Sequence, residues 1–231
     1  MTLPSPSEKA AVVEEMFDRI APHYDRMNSL LTFGLDQRWR ARTLRNIGLV
    51  KGEFVLDVAC GTGDFAEMCR SHGARVVATD YAAQMLHHAD LRGLSGVLVR
   101  GDAMRLPIRS GAFDALVCGF ALRNFADLQP AFNEMARVLK PRGRIGLIDV
   151  DRPRNTLVRV GHSFYFDRVV PLVGRLLADA KAYAYLPAST SYLPPWPKMR
   201  TMLESAGFAE VKRESAMFGA VQIITGVRKM P

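Results

Sequence analysis

The sequence is poor in cysteine. Its 231 residues include three, Cys60, Cys69 and Cys118, with no CxxC pair and no histidines spaced among them as metal ligands. An odd number of cysteines without such spacing argues against both a disulfide framework and a zinc site. We therefore expect reduced, mostly buried thiols and no metal centre.

Long apolar runs and acidic charge are also scarce. No stretch of 18 apolar residues occurs, and no charged start precedes an apolar signal core, so a membrane span and export are not expected. A cytoplasmic location follows. The formal net charge is +8 and the pI about 9.7. A positive surface attracts phosphates, anionic lipid or nucleic acid, and the charge alone does not distinguish among these partners.

An alternation of short apolar segments and helical segments begins near Glu53. The predicted strands are residues 54–58, 75–79, 97–99, 115–118 and 144–148, followed by an antiparallel pair near 210–215 and 221–227. Leu128 to Leu139 form an apolar helix face, which Pro141-Arg142-Gly143 ends. This order predicts an α/β fold of the Rossmann-like, doubly wound kind: a mainly parallel seven-stranded sheet with helices on both faces.

Residues 1–231 have the size of one domain with a substantial core. Helical spacing of Val13, Met16, Phe17 and Ile20, and a second helical stretch over residues 28–46, predict a helical cap at 8–50. Residues 51–151 form the ligand-binding core. An aromatic and proline-rich insertion at 152–200 covers the ligand end of the sheet, and 201–231 supply a helix end and the strand pair.

A glycine-containing loop follows the first strand. Gly61-Thr62-Gly63-Asp64-Phe65-Ala66 fits the loose GxGxxG/A pattern, which alone would also suit a dinucleotide. Asp57 and Asp64 flank the turn, however, and would repel a pyrophosphate while favouring a ligand that carries an ammonium and a sulfonium. The charges therefore indicate S-adenosylmethionine.

Polar residues or glycines also follow the next strands. Asp80 is placed to accept both ribose hydroxyls, Asp102 and Ala103 follow the third strand near the adenine edge, and Gly119 ends the fourth. Their convergence on one switch point of the sheet is more specific than any single residue. Taken singly, Asp80 and Asp102 are each also explained as helix N-caps.

At this point the chain resembles the class I methyltransferases and, more narrowly, the C-methyltransferases of menaquinone and ubiquinone biosynthesis. The resemblance extends over nearly the whole length, from about Met16 to Lys229. Its most specific segments are Tyr24-Asp25-Arg26-Met27-Asn28 and Leu122-Arg123-Asn124. It implies transfer of a methyl group from S-adenosylmethionine to a ring carbon of a polyprenylated quinol. By position, Thr62, Asp80, Asp102, Ala103 and Gly119 would contact the cofactor, the last through backbone because relatives commonly have Ser there.

The acceptor needs a group that stabilises its phenolate. Arg123 and Asn124, just after the fourth strand, are the candidates for binding that oxygen, and Tyr24 for closing over the ring. The alternatives to these catalytic roles are that Arg123 is an exposed surface residue and that Tyr24 packs in the core. Departures from the family pattern fall at Gly34-Leu35-Asp36-Gln37, at Gly219-Ala220 with Thr225, and at 149–153, which are regions that could face the acceptor.

Other functions remain open at this stage. The chain could methylate a soluble phenol or polyketide, or be a non-catalytic subunit that binds S-adenosylmethionine. A nucleic-acid substrate is not expected, because no Asn-Pro-Pro-Tyr type tetrapeptide follows the fourth strand. Peripheral contact with an anionic membrane, at the inner membrane face, is a further expectation and would use Arg38, Arg40, Arg42 and Arg45. A homodimer is also compatible with the sequence.

Overall fold

The computed structural model describes residues 5–151, residue 185 and residues 188–230. The helices among them are α1 (Pro6–Ile20), α2 (Tyr24–Thr32), α3 (Leu35–Asn46), α4 (Asp64–Ser71), α5 (Ala83–Ala89), α6 (Leu128–Val138) and α7 (Trp196–Ser205). Short 3₁₀ turns lie at Ala21–His23, Leu122–Asn124, Thr190–Tyr192 and Met217–Gly219. The predicted insertion at 152–200 falls largely outside the described residues, so the division into cap, core and insertion stays a prediction.

The strands are β1 (Phe54–Val58), β2 (Arg75–Asp80), β3 (Leu98–Arg100), β4 (Phe113–Gly119), β5 (Leu139–Val150), β6 (Phe208–Ala216) and β7 (Val221–Arg228). They form one sheet of order β3-β2-β1-β4-β5-β7-β6. The first five run parallel, whereas β7 pairs antiparallel with both β5 and β6. The predicted Rossmann-like, seven-stranded, mainly parallel sheet is confirmed.

Successive residues of the central strands face opposite layers of helices, because side chains alternate across a sheet. Val55 packs with Trp39 and Leu44 of α3. Leu56 packs on the other side with Phe132 of α6. Burial on both faces explains why these strands read as continuous apolar runs in the sequence.

The second predicted helical stretch is wrong in one respect: it is two helices. Phe33 and Gly34 adopt left-handed conformations, with φ of 53° and 69°, and the Gly34 N–H donates to the Ser29 carbonyl at 2.8 Å. A left-handed residue after the last turn is the usual way in which a helix ends. The chain therefore turns between α2 and α3.

The junction between α6 and β5 also differs from the prediction. The helix ends at Val138 rather than at Pro141-Arg142-Gly143, and β5 begins directly at Leu139. The register with β4 shifts between the pairs Phe113–Leu139 and Ala115–Arg144, which places the proline and glycine in a bulge, where a lost ladder hydrogen bond is tolerated.

All three cysteines are free and buried, as predicted. Burial raises the pKa of the Cys60 and Cys118 thiols well above the ordinary value, so neither is an activated thiolate. Within the described ranges, no helix is both long and apolar enough to cross a bilayer.

Candidate active site

The carboxyl ends of β1, β2 and β4 meet at the point where the strand order reverses. β1 lies between β2 and β4, and the chain leaves it in one direction towards β2 and β3 and returns on the other side to β4. A crevice opens at such a switch point in doubly wound sheets. The predicted cofactor residues follow these strand ends.

Glycine is required in the loop after β1. Gly61 and Gly63 have φ of 57° and 96°, and a Cβ on Gly63 would stand 2.1 Å from the Leu94 methyl Cδ1. The Gly63 N–H donates to the Cys60 carbonyl at 2.9 Å, which tightens the turn that starts α4. Gly63 therefore serves the turn and its packing.

Asp57 is buried beneath this loop. Its Oδ2 accepts the Ala66 backbone N–H at 2.9 Å, in the first turn of α4, while its Oδ1 has no hydrogen-bond partner among the described residues. Burial raises the pKa of Asp57 to about 8, against a smaller opposing effect of Arg40. Asp57 thus fixes the start of α4 from below.

A strand-end pocket lies above the loop. Its wall includes Gly61, Asp80, Asp102, Ala103 and Gly119, five of the eight predicted cofactor residues, together with Asn124. From the opposite side, Val13, Glu14 and Phe17 of α1 and Tyr24 of α2 complete it. The structure thus brings the strand ends and the amino-terminal helices around one cavity.

Asp80 holds two loops through backbone hydrogen bonds. Its Oδ2 accepts the Gly61 N–H at 2.7 Å and its Oδ1 accepts the Ala82 N–H at 2.9 Å. A carboxylate offers about four lone-pair sites, so these bonds do not use its full acceptor capacity. Burial raises the pKa of Asp80.

Asp102 and Gly119 were also predicted to contact the cofactor, and both line the strand-end pocket. Asp102 accepts the Met104 N–H at 2.8 Å, which shapes the turn after β3 and sets Ala103 against the pocket. At Gly119, a Cβ would lie 2.9 Å from Cε2 of Phe65. The Phe65 ring therefore occupies the space that a serine side chain would need.

Thr62 points away from the strand-end pocket. It is buried, and its hydroxyl donates to Asp25 of α2. Arg92 joins this contact, with Nη1 at 3.1 Å from the Thr62 carbonyl oxygen and 3.3 Å from the Asp25 carboxylate. Asp25, which the sequence analysis left without a role, thus ties the cap to the cofactor loop.

The negative charges of Asp57 and Asp64 beside the loop are weaker than the sequence indicated. Asp64 forms salt bridges with Arg40 at 3.2 Å and Arg92 at 2.9 Å, so its charge is largely compensated. Burial raises the pKa of Asp57 to about 8, which weakens its negative charge near neutral pH. Because the negative charge of each carboxylate is weakened, the loop distinguishes a cationic ligand from a pyrophosphate less strongly than the sequence indicated.

An apolar pocket lies on the other side of Tyr24 and Phe120, which line both cavities. Its remaining wall comes from α2, α3, the carboxyl end of β5 and the turn before β7, and is formed largely by the apolar residues Ile20, Met27, Leu31, Trp39, Val150, Met217, Ala220 and Val221. Arg123 is the charged side chain in this wall. Predominantly apolar pockets with few polar groups are typical of small-molecule sites.

Arg123 is buried rather than exposed, which excludes the surface alternative. Its guanidinium pairs with Asp149 and donates to the Phe120 carbonyl at 2.7 Å, and its backbone N–H donates to Asp149 at 3.1 Å. The Nε atom has no hydrogen-bond partner among the described residues. Asp149, noted in the sequence only as a departure from the family, is thus the residue that orients Arg123.

Three more polar atoms lie buried without a partner in the described part of the chain: Arg40 Nε, Asn124 Oδ1 and Tyr185 Oη. Tyr185 packs with Met16 and Ile20 of α1, and burial raises its pKa to about 12. Tyr24 is half-buried, and burial raises its pKa as well, against the opposing effect of Arg40 and Arg123. Unsatisfied buried polar groups are rare and often mark the place of a ligand or water.

The amino-terminal arginines do not form the basic face that the sequence indicated. Arg40 is buried and pairs with Asp36 at 2.7 Å, and Arg42 pairs with Glu214. Arg38, Arg42 and Arg45 remain exposed. Because Arg40 is buried in an ion pair and cannot reach lipid, a docking mechanism that uses all four arginines is wrong.

The model of the ubiE/COQ5 methyltransferase family matches residues 5–228. The chain belongs to this family. It is therefore an S-adenosylmethionine-dependent methyltransferase, as the sequence predicted.

Curated relatives cover nearly the entire chain. The demethylmenaquinone methyltransferase of Roseiflexus sp. (strain RS-1) is 40% identical over 98% of both chains, and that of Thermus thermophilus is 41% identical over 92% of this chain and 100% of its own. The ubiquinone/menaquinone biosynthesis C-methyltransferase UbiE of Syntrophotalea carbinolica is 36% identical over 94% of each.

Solved structures agree on the fold. A possible histamine N-methyltransferase from Thermotoga maritima aligns with a TM-score of 0.63 at 20% identity, covering 93% of this chain and 99% of its own. The Haemonchus contortus phosphoethanolamine N-methyltransferase 2 in complex with S-adenosylmethionine aligns with a TM-score of 0.61 at 14% identity, over 83% of this chain and 52% of its own.

Proposed function

We propose that the protein methylates a ring carbon of a demethylmenaquinol or a related polyprenyl quinol. S-adenosylmethionine would occupy the strand-end pocket and the quinol ring the apolar pocket. The observation that carries this assignment is that Tyr24 and Phe120 line both pockets, so the two pockets are adjacent and ligands bound in them are neighbours. Methyl transfer requires such proximity, with the nucleophile reaching the methyl group past the edges of these two side chains.

The strand-end pocket has the groups that S-adenosylmethionine requires. Gly61 presents backbone without a Cβ, Asp80 has free lone pairs for the ribose hydroxyls, and the turn at Asp102 and Ala103 offers polar backbone to the adenine edge. The cofactor supplies a methyl group bound to a positively charged sulfur. Asp57, Thr62 and Gly63 act on the same site indirectly, by holding the loop and the start of α4.

Arg123 is the proposed oxygen-binding group for the acceptor. Its guanidinium lies in the wall of a mostly apolar pocket, and pairing with Asp149, which offsets much of its charge, fixes its orientation. A ring carbon becomes nucleophilic when the neighbouring hydroxyl loses its proton, and a fixed hydrogen-bond donor stabilises the resulting oxyanion. Asn124, with its unpartnered Oδ1, and Tyr24 would position the ring beside the cofactor.

The test is methyl transfer from labelled S-adenosylmethionine to a panel of acceptors: demethylmenaquinol and demethylated benzoquinol analogues with short isoprenoid tails, and soluble phenols without a tail. We expect label on the quinol ring and little on the phenols. Preference for a tailless phenol or polyketide would replace the proposed acceptor. Binding of the cofactor with no turnover on any compound would instead favour a non-catalytic subunit.

A further inference from the structure

A short segment after β4 carries two of the groups proposed to bind the acceptor. Residues 121–126 include Arg123 in the wall of the apolar pocket and Asn124 in the wall of the strand-end pocket. The first half of the segment is held from β5, because the Arg123 N–H donates to Asp149 at 3.1 Å. Phe125, in the second half, lines the strand-end pocket as well and is held from a different element.

That second contact comes from Lys9 of α1. Its ammonium donates to the Phe125 carbonyl at 2.6 Å, between residues 116 positions apart in the sequence. The same Nζ atom lies 3.6 Å from the centroid of the Tyr192 ring, and a cation is attracted to the face of an aromatic ring. Ala10, the next residue of α1, lines the strand-end pocket together with Phe125. Lys9 therefore joins two walls of this pocket.

Lys9 is an unusual residue for a buried position. It is 3% exposed, and no carboxylate pairs with it among the described residues, whereas buried lysines are normally paired. Burial lowers the pKa of Lys9 to about 8, because removing an ammonium from water costs free energy. An apolar side chain of similar size is often as stable at such a site. Stability alone therefore does not account for a lysine here, whereas fixing the Phe125 carbonyl does.

We propose that Lys9 is a positioning residue for methyl transfer, whose ammonium fixes residues 121–126 against α1 and so keeps Asn124 beside both ligands. The inference rests on the proposed function, because it takes the strand-end pocket as the cofactor site and Asn124 as part of the acceptor site. Lys9 lines neither pocket, so it acts through the segment and not by touching a ligand. A displacement of about 1 Å near reacting groups can lower a rate about a hundredfold, so loss of this contact has a measurable effect.

The first experiment measures S-adenosylmethionine binding by titration calorimetry in the parent, Lys9→Met and Asp18→Ala. Methionine keeps an unbranched apolar side chain but removes the charge and the donor. Asp18→Ala is the matched control, because it removes another contact between α1 and the core, the 2.8 Å hydrogen bond from the Gln84 N–H, at a residue that lines neither pocket. We expect Lys9→Met to bind at least about fivefold more weakly, a change of about 1 kcal/mol, and Asp18→Ala to bind like the parent.

Kinetics and melting separate positioning from a structural role. We expect Lys9→Met to lower kcat about tenfold on a short-tailed quinol at saturating cofactor, and Lys9→Arg to recover part because it keeps a cation and donors. The melting temperature of Lys9→Met should stay near the parent's, since relief from burying a charge offsets the lost hydrogen bond. In an Asn124→Ala background, Lys9→Met should lower kcat little further, because both changes act on one segment.

Parent-like cofactor binding by a folded Lys9→Met protein would overturn the inference. So would an equal loss in Asp18→Ala, which would assign the effect to the docking of α1 as a whole. A fall in melting temperature that accounts for the lost binding, or additive losses from Lys9→Met and Asn124→Ala, would also overturn it. If the parent methylates no quinol, the proposed function fails, and the calorimetry still decides whether Lys9 shapes the cofactor site.

Discussion

The strand-end pocket and the apolar pocket are adjacent and share Tyr24 and Phe120, but they are built differently. The first is lined on one side by residues at or just after the ends of β1 to β4, each placed by its strand, and is completed by α1 and α2. The second draws its wall from α2, α3, β5 and the turn before β7, segments separated by more than half of the chain. A pocket formed at strand ends can be read from local sequence, whereas one formed between distant elements cannot.

The comparison predicts that polar residues decide binding in the strand-end pocket and turnover in the apolar pocket. The largest effect is expected at Arg123. Arg123→Ala should lower kcat about a hundredfold at saturating acceptor, the usual effect of losing one oxyanion-stabilising donor, and a higher assay pH should restore part of it. Arg123→Lys should recover only part, since an ammonium lacks the planar donor fork.

The control for Arg123 has to separate catalysis from folding. Arg123→Ala leaves Asp149 buried and unpaired, which typically costs about 3–5 kcal/mol, so thermal melting must accompany the kinetics. Asp149→Asn keeps Arg123 in place but removes its charged partner and should retain more activity than Arg123→Ala. Normal turnover by a folded Arg123→Ala protein would make the residue structural and shift attention to Tyr24 and Tyr185.

In the strand-end pocket, Asp80 carries the next largest effect. Asp80→Ala should weaken S-adenosylmethionine binding at least about tenfold, because charge-assisted hydrogen bonds are each worth about 1.5–3 kcal/mol. Titration calorimetry measures this directly. Asp80→Asn keeps an oxygen for the Gly61 or Ala82 N–H and should bind better than the alanine variant. Unchanged affinity in Asp80→Ala would remove the ribose assignment.

Asp25 connects the two pockets, since it links α2 to Thr62 in the cofactor loop. Asp25→Ala should raise the acceptor KM about fivefold with a smaller change in kcat, because the link positions Tyr24 without touching either ligand. Asp25→Asn, which can still accept the Thr62 hydroxyl, should fall between parent and alanine variant. A loss confined to kcat would indicate a direct role in the reaction instead.

A further effect concerns stability beneath the strand-end pocket rather than activity. The pKa of Asp57 is about 8 in the folded protein and about 4 when unfolded, so the unfolded state releases its proton first. Its contribution to stability is therefore greatest below pH 4 and is lost as pH rises towards 8. Asp57→Asn should flatten the decline of the melting temperature between pH 5 and 8 without cofactor, and parallel curves for both proteins would contradict this origin.

Much of the fold followed from local patterns. The strands 54–58 and 75–80 were predicted to within a residue because they are buried on both faces and end at Asp57-Val58 and Asp80. The split between α2 and α3 was missed, because Phe33 gives no signal for the left-handed conformation that it adopts beside Gly34. The sequence also did not show which arginines of α3 face the protein interior. Arg40 proved to be buried.

By itself, the sequence determined the sheet, its switch point and the residues at the ends of the first four strands, since a side chain's place after a strand depends on a few neighbouring residues. Only the tertiary structure decided that Arg123 is buried against Asp149 and that Asp25 reaches Thr62. These contacts join residues 26 and 37 positions apart, and the packing of whole elements, which no local pattern encodes, brings them together.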